Sequence, residues 1–258
     1  MEKNKKRVFL ASPHMMGNEE KYVKEAFESN WIAPLGPFVN KLEDDFKNYM
    51  NLPGACALSS GTSALHLAIK LAGVKEGDYV FCSSLTFSAS ANPILYENAK
   101  PVFIDSEPGS YNMSPVALEK AFEKYTPKTV VIVSLYGMPA TMDKLIKICK
   151  KHKVTVIEDA AESLGAKYKN KLIGTFGEYN IISFNGNKII TTSGGGMLLT
   201  KKEKDAKKAL FWATQSREPA RYYQHKEIGY NYRMSNISAA IGLSLIHISE
   251  PTRQEAIS

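Results

Sequence analysis

The sequence predicts an α/β fold in which a mostly parallel sheet is covered by helices. Short apolar, β-branched runs of strand length recur along the chain. Between them lie longer runs whose apolar residues return every three or four positions, and glycine, proline or small polar residues mark the junctions. Strands that alternate with helices in this way pair most readily in parallel, because each helix carries the chain back across one face of the sheet. At 258 residues and 44% hydrophobic content, the chain is long enough for one sizeable layered core, or for one domain and the start of another.

The elements follow in order. Asn18 to Ser29 reads as a helix with Tyr22, Val23, Ala26 and Phe27 on its apolar face. Trp31 to Pro37, with two prolines and a glycine, reads as a loop, and Phe38 to Tyr49 resumes helical spacing. Ala55 to Leu58 is a candidate strand, Ser59 to Ser63 a small polar turn, and Ala64 to Ala72 a helix stopped by Gly73. Tyr79 to Cys82 is a strand with a helix expected from about Ser88, and Pro101 to Ile104 is a strand ending at Asp105. Ser114 to Tyr125 has a serine cap and a first-turn proline, the pattern of a helix start. Thr129 to Val133 and Val154 to Ile157 read as strands on either side of a helix from Met142 to His152. The polar stretch from Tyr168 to Gly177 precedes a strand at Tyr179 to Phe184 and a turn at Asn185 to Asn187. Ile189 to Thr200 sets a triple glycine among β-prone residues, and Lys201 to Ala213 is a helix with a basic polar face. Gln215 to Tyr230 is aromatic and polar, a poor core segment suited to a site or an interface, and a last helix begins at Ser235.

The formal net charge of +7 could serve a nucleic acid or an anionic surface. The lysines are dispersed among acidic residues, however, and no zinc-finger or RNA-binding signature accompanies them, which favours a solvated surface. Three widely separated cysteines, Cys56, Cys82 and Cys149, fit buried thiols in a reducing compartment rather than a disulfide framework. The basic start, Met1 to Arg7, leads into no long apolar segment, so neither a signal peptide nor a transmembrane helix is expected, and a cytoplasmic enzyme is the simplest reading.

Chemistry concentrates at three places. The strand–turn–helix at Ala55 to Ala72 would present unpaired backbone N–H groups and the positive end of a helix dipole, a seat for phosphate, although a plain sheet–helix turn has the same pattern. Asp159 follows an apolar strand at the rim where parallel sheets bind ligands, where it could also cap the next helix. Lys188 follows a strand and an Asn–Gly–Asn turn and precedes an apolar pair, unlike the usual solvated lysine. A lysine amine can bond to an aldehyde cofactor, and an aspartate can keep a pyridine nitrogen protonated so that the ring accepts electron density. The freed lysine can then move protons as a general acid–base.

Several segments, in their order and spacing, carry a family resemblance. They are His14 to Glu19, Ser60 to Leu65, Glu158 to Glu162, Ser183 to Lys188, Thr191 to Gly196 and Gly229 to Ser235. From Phe9 to about Gly242 the chain resembles the DegT/DnrJ/EryC/StrS sugar-nucleotide aminotransferases. The resemblance implies an aspartate-aminotransferase-like fold, the type I fold of pyridoxal 5'-phosphate enzymes. It implies Lys188 as the Schiff-base lysine and Asp159 as the partner of the pyridine nitrogen. Gly61, Thr62 and Ser63 would form the phosphate cradle with Ser183, Phe87 would stack on the cofactor ring, and Glu162 would stand beside it. Asn231 would reach the phosphate bound in the other subunit, which implies a homodimer with shared sites. His14, Trp31 and Arg233 are substrate-side candidates, the first two equally able to organise loops. A histidine replaces the lysine in dehydratase members, so Lys188 favours transamination.

Through the Trp31 to Gly36 loop, the Leu135 to Gly137 turn and the glycine-rich Ser193 to Met197 stretch, the resemblance is strongest to enzymes that make a 4-amino sugar on UDP in the bacillosamine route. It implies L-glutamate as amino donor, leaving as 2-oxoglutarate, and a UDP-linked 4-keto-6-deoxy-N-acetylhexosamine as acceptor. Another keto sugar nucleotide, or a non-catalytic cofactor-binding role, is the alternative. Leu243 to Arg253 departs from the family pattern and resembles a translated sequencing adapter. Residues 1–242 are therefore expected to form the cofactor-binding large domain, and residues 243–258 a non-native tail in place of the start of a small C-terminal domain. His247 is then no ligand, and weak turnover is expected.

Overall fold

Seven strands form the central sheet of the computed structural model, which describes residues 12–246. The basic start at Met1 to Arg7 and most of the expected tail, from His247 onward, lie outside the described residues.

Helices α1 (Glu19–Glu28) and α2 (Pro37–Met50) precede β1 (Gly54–Leu58), α3 (Gly61–Leu71) and β2 (Tyr79–Ser83). Next come α4 (Asn92–Tyr96), β3 (Lys100–Ile104), α5 (Pro115–Phe122), β4 (Pro127–Val133), α6 (Met142–Lys151) and β5 (Thr155–Asp159). A small hairpin of β6 (Lys167–Tyr168) and β7 (Lys171–Leu172) leads to β8 (Tyr179–Ser183), β9 (Gly196–Thr200), α7 (Glu203–Ala213) and α8 (Asn236–Leu245). The order across the sheet is β1-β9-β8-β5-β4-β2-β3. Pairs β8–β5, β5–β4, β4–β2 and β2–β3 are parallel, and β9 pairs antiparallel with both neighbours. Only β9 runs against the common direction, so the sheet is mostly parallel, as its sequence pattern implies.

Side chains alternate across the strands into two buried layers. One layer joins Val156 of β5 with Leu42 of α2, Leu118 of α5, Leu145 of α6 and Leu243 of α8. The other joins Ile157 with Leu65 of α3, Ile94 of α4 and Ala209 of α7. Helices cover both faces, which is why β4 and β8 are buried almost throughout rather than at every second residue.

Three local differences from the sequence reading have physical causes. The helix expected from Ser88 is a single 3-10 turn, Ser88–Ser90, followed by the five residues of α4. Pro93 lacks an N–H and restricts the residue before it, so a continuous helix cannot pass through that point. Helix α3 begins at Gly61, three residues before its apolar run, because the Ser60 side chain accepts from Ser63 N–H and caps it there. The polar stretch after Ala166 holds the β6–β7 hairpin, whose turn residues Lys169 and Asn170 have φ of 48° and 65°. Paired positive φ values suit the right-handed strand twist.

Helix α8 is capped by Ser235 and packs against α1 and α2. Residues 243–246 continue it into the core, with Leu243, Leu245 and Ile246 buried. The Asn236 side chain ties down the Trp31 loop: its amide donates to Trp31 O at 2.7 Å and its oxygen accepts from Phe38 N–H at 3.0 Å. Among the described residues no helix is long and apolar enough to cross a membrane.

Candidate active site

At the carboxyl ends of the parallel strands a cavity of about 420 Å³ opens between the start of α3, the turn after β2, the end of β5 and the loop after β8. Helix α3 supplies its floor. With Ser60 occupied in capping Ser63 N–H at 3.0 Å, the N–H groups of Gly61 and Thr62 have no protein partner among the described residues. Both residues line the cavity. A Cβ on Gly61 would stand 3.1 Å from Ser183 Cβ, and one on Gly196 would stand 2.5 Å from the Ser60 carbonyl carbon. Glycine at these points lets the backbones of α3 and β9 close to contact distance and keeps the helix start open. Two free N–H donors at the positive end of an 11-residue helix make a seat for a phosphate group.

Asp159 ends β5, 5% exposed. One carboxylate oxygen accepts from Ser90 Oγ at 2.7 Å and the other from Ala161 N–H at 3.2 Å. Burial pushes its pKa above the usual carboxylate range, while the Ser90 hydroxyl, the Ala161 N–H and the positive charge of Lys188 oppose that rise. Lys188 sits in the loop after β8, its side chain 13% exposed, and Nζ lies 3.1 Å from Glu162 Oε1. The other oxygen of Glu162 accepts from Tyr136 N–H at 2.8 Å, in a turn where Tyr136 has φ of 52°. The loop is fixed at its base: Phe184 N–H donates to Gly195 O at 2.9 Å and Thr192 N–H to Phe184 O at 3.0 Å.

Of the residues singled out in the sequence, Gly61, Thr62, Phe87, Asp159, Glu162, Ser183 and Lys188 line this one cavity. Phe87 is 75% exposed at its edge and is not a core side chain. Ser63 turns inward, its hydroxyl 2.8 Å from Ser60 Oγ and 3.1 Å from Ser59 Oγ, and supports the cap from behind. Asn231 is exposed and pairs with Thr214, away from the cavity. His14 and Trp31 also lie outside it.

Arg233, a substrate-side candidate in the sequence, does not line this cavity. Its guanidinium is buried, is paired through both terminal nitrogens with Glu43, and donates to Ala57 O at 3.1 Å. It locks α2 to β1. Sequence reasoning also missed Thr86 and Ser90, both at the cavity, where Thr86 Oγ1 lies 2.7 Å from Ser90 Oγ. Two hydroxyls four residues apart after a strand were the available signal, hidden by the expectation of a regular helix there. The three cysteines are buried, and burial pushes each thiol up to about 12, so none is a nucleophile near neutrality.

A lysine amine and a buried carboxylate in one cavity, over a helix start with open N–H groups, on a sheet of this order, define an aspartate-aminotransferase-like, type I pyridoxal-phosphate fold. The chain superimposes with a TM-score of 0.87 on Helicobacter pylori PseC, an aminotransferase of pseudaminic acid biosynthesis. The two are 26% identical, and the match covers 97% of this chain and 69% of that one. The sugar aminotransferase Spr1654 of Streptococcus pneumoniae in its PLP form matches with a TM-score of 0.88 and 25% identity over 98% of this chain and 70% of that one. The chain belongs to the DegT/DnrJ/EryC1/StrS aminotransferase family, whose sequence pattern it matches over residues 13–255. It is 56% identical over 248 residues to the pyridoxal-phosphate-dependent aminotransferase EpsN of Bacillus subtilis, covering 94% of this chain and 64% of that protein. It is 41% identical over 239 residues to the GDP-perosamine synthase of Escherichia coli O157:H7, covering 93% and 65%. The chain thus spans just under two thirds of the length of these two relatives.

Proposed function

We propose that this chain carries the cofactor site of a pyridoxal 5'-phosphate-dependent aminotransferase acting on a nucleotide-linked keto sugar. The observation that carries the reading is the meeting of Lys188, Asp159 and the open N–H groups of Gly61 and Thr62 in one cavity. The residues fit that cofactor. Gly61 and Thr62 N–H, with the Ser183 hydroxyl, would hold its phosphate, Lys188 Nζ its aldehyde carbon, Asp159 its ring nitrogen, and Phe87 would lie against its ring. When bound, the group supplies an electron sink for charge released at the carbon bearing the amino group.

The protein's own residues do the rest. Asp159, as a carboxylate, would keep a proton at the ring nitrogen. Lys188 Nζ, once freed, takes the proton from Cα of the amino donor as a general base. Glu162, 3.1 Å from Lys188 Nζ and anchored by Tyr136 N–H, holds the amine in place and can stabilise its charged form.

L-glutamate is the donor we infer, and a UDP-linked 4-keto-6-deoxy-N-acetylhexosamine the acceptor, giving a 4-amino sugar nucleotide and 2-oxoglutarate. Support is the resemblance of the sequence segments set out above. The relatives divide over the nucleotide and the sugar position, since one is named a GDP-perosamine synthase and another a UDP-2-acetamido-2-deoxy-3-oxo-D-glucuronate aminotransferase. We further propose that two copies share their sites. Phe87 at the cavity is exposed, as are Tyr136 and Ile189, which follow the lining residues Leu135 and Lys188, and Asn231 lies exposed outside its own cavity.

The test is to add pyridoxal phosphate, record the visible spectrum, reduce with borohydride and map the modified peptide. A covalent adduct on Lys188 is expected. Incubation with glutamate and a panel of UDP- and GDP-linked keto sugars, followed by product mass, then assigns the acceptor. Folded, cofactor-saturated protein with Lys188 unmodified would sink the reading.

A further inference from the structure

We propose that Thr86 and Ser90 form a two-hydroxyl chain that holds Asp159 as a carboxylate, with Ser90 as the positioning residue and Thr86 as its outer end. The role assigned to the charge rests on the reading of Asp159 as the ring-nitrogen partner. The chain itself stands on geometry alone.

Ser90 is 1% exposed and sits in the 3-10 turn after β2. Its Oγ donates to Asp159 Oδ2 at 2.7 Å, and a serine hydroxyl has only one hydrogen to give. With Asp159 ionised, as the proposal holds, the 2.7 Å contact between Thr86 Oγ1 and Ser90 Oγ takes one sense: Thr86 donates and Ser90 accepts. The two bonds point the same way, toward the carboxylate, and aligned hydrogen bonds polarise one another. The turn is held independently of them, because Ser90 N–H donates to Phe87 O at 3.0 Å and Ser90 O takes the Cys82 thiol at 3.6 Å. Ser90 is thus fixed with its hydroxyl aimed at Asp159.

The need for such a device follows from the surroundings of Asp159. Burial favours its neutral form, and a neutral carboxyl could not keep a neighbouring nitrogen charged. The other titratable groups that face it are Lys188 from the loop after β8, Glu162 from the turn after β5 and the Cys82 thiol from β2. Lys188 favours the carboxylate and Glu162 opposes it. In the proposed function Lys188 gives up its free ammonium when it bonds to an aldehyde, so its support is the less constant of the two. The Ser90 hydroxyl and the Ala161 N–H are neutral donors that persist through the reaction. The same five residues, Thr86 to Ser90, also carry Phe87 to the cavity wall. One turn therefore sets both the ring-covering side chain and the state of the carboxylate.

The test compares the parent chain with Ser90→Ala, Thr86→Val and Thr86→Ser. Asp159 is titrated by carbon NMR of labelled aspartate carboxyls, its signal assigned by its absence in Asp159→Asn. The titration is run without cofactor and again after pyridoxal phosphate is added. Ser90→Ala is expected to raise the midpoint by about one pH unit, roughly a tenfold change in proton affinity. Thr86→Val, which keeps the shape and removes the outer hydroxyl, should raise it by less, and Thr86→Ser should restore the parent value. A midpoint unchanged in both Ser90→Ala and Thr86→Val overturns the proposal. If Ser90→Ala does not fold, Thr86→Val against Thr86→Ser decides alone. Borohydride trapping at Lys188 separates this idea from the cofactor reading. A shifted midpoint without any Lys188 adduct leaves the hydroxyl chain standing and retires the cofactor, whereas an adduct with unshifted midpoints does the reverse.

Discussion

Glu158 and Asp159 are neighbours at the end of β5, and the alternation of the strand sends them to opposite faces of the sheet. Both are buried, and burial pushes both above the usual carboxylate range. Glu158 accepts from three backbone N–H groups, those of Gly174 at 2.8 Å, Phe176 at 2.7 Å and Gly177 at 3.2 Å, and so fastens the segment that leads into β8. Asp159 accepts from one hydroxyl and one N–H and lines a cavity. The difference teaches how one strand end can hold two kinds of carboxylate: the first is tied by backbone on every side, the second is held by fewer donors and faces a cavity.

The contrast can be broken by substitution. Asp159→Asn should cost the most: about 10⁴-fold in turnover, roughly 5 kcal/mol of barrier, with the midpoint of urea unfolding unchanged or raised because a buried charge has gone. Kinetics and denaturation run on one preparation would check it, and a variant that keeps parent turnover would place Asp159 with Glu158. Arg233→Met extends the comparison to a half-buried carboxylate, Glu43, whose partner it removes. Unfolding stability should fall by about 4 kcal/mol and recover in part when Glu43 is also replaced by an apolar residue. Glu158→Gln should cost about 2 kcal/mol, since an amide NH₂ would face a backbone donor. The folded pKa of Glu158 is raised, so its contribution is present in acid and lost as pH rises through that value. The deficit of the glutamine variant should therefore be widest in acid, and denaturation at several pH values would show the slope. Lys207→Ala marks the bottom of the scale: its pairing with Glu203 is exposed on α7, and the loss should stay within about 0.5 kcal/mol.

Much of this was legible in the letters. The β-branched run at Thr129 to Val133 and the helical spacing of Met142 to His152 fixed their elements to within a residue or two, because both patterns match their periods strongly. Asp159 stood out because it breaks an apolar run at the end of a strand, and Lys188 because it follows a strand and an Asn–Gly–Asn turn and precedes an apolar pair. Three things were not legible. The reversed direction of β9 depends on which strands it joins, and periodicity says nothing of direction. Arg233 lies in a motif with site residues, and only packing reveals that its partner is Glu43, 190 positions away. Ser90 was hidden because its meaning lies in a contact with a residue 69 positions distant.

The reversal of β9 has a mechanical consequence for Lys188. Because β8 and β9 are adjacent and antiparallel, the stretch between Ser183 and Gly196 leaves the rim and returns to it, a leash staked at both ends. The reach of the Lys188 amine is set by how many residues that leash contains. Lengthening or shortening it by one residue would leave the stakes in place while swinging the amine off its mark, so precision here is a property of spacing as much as of the lysine itself.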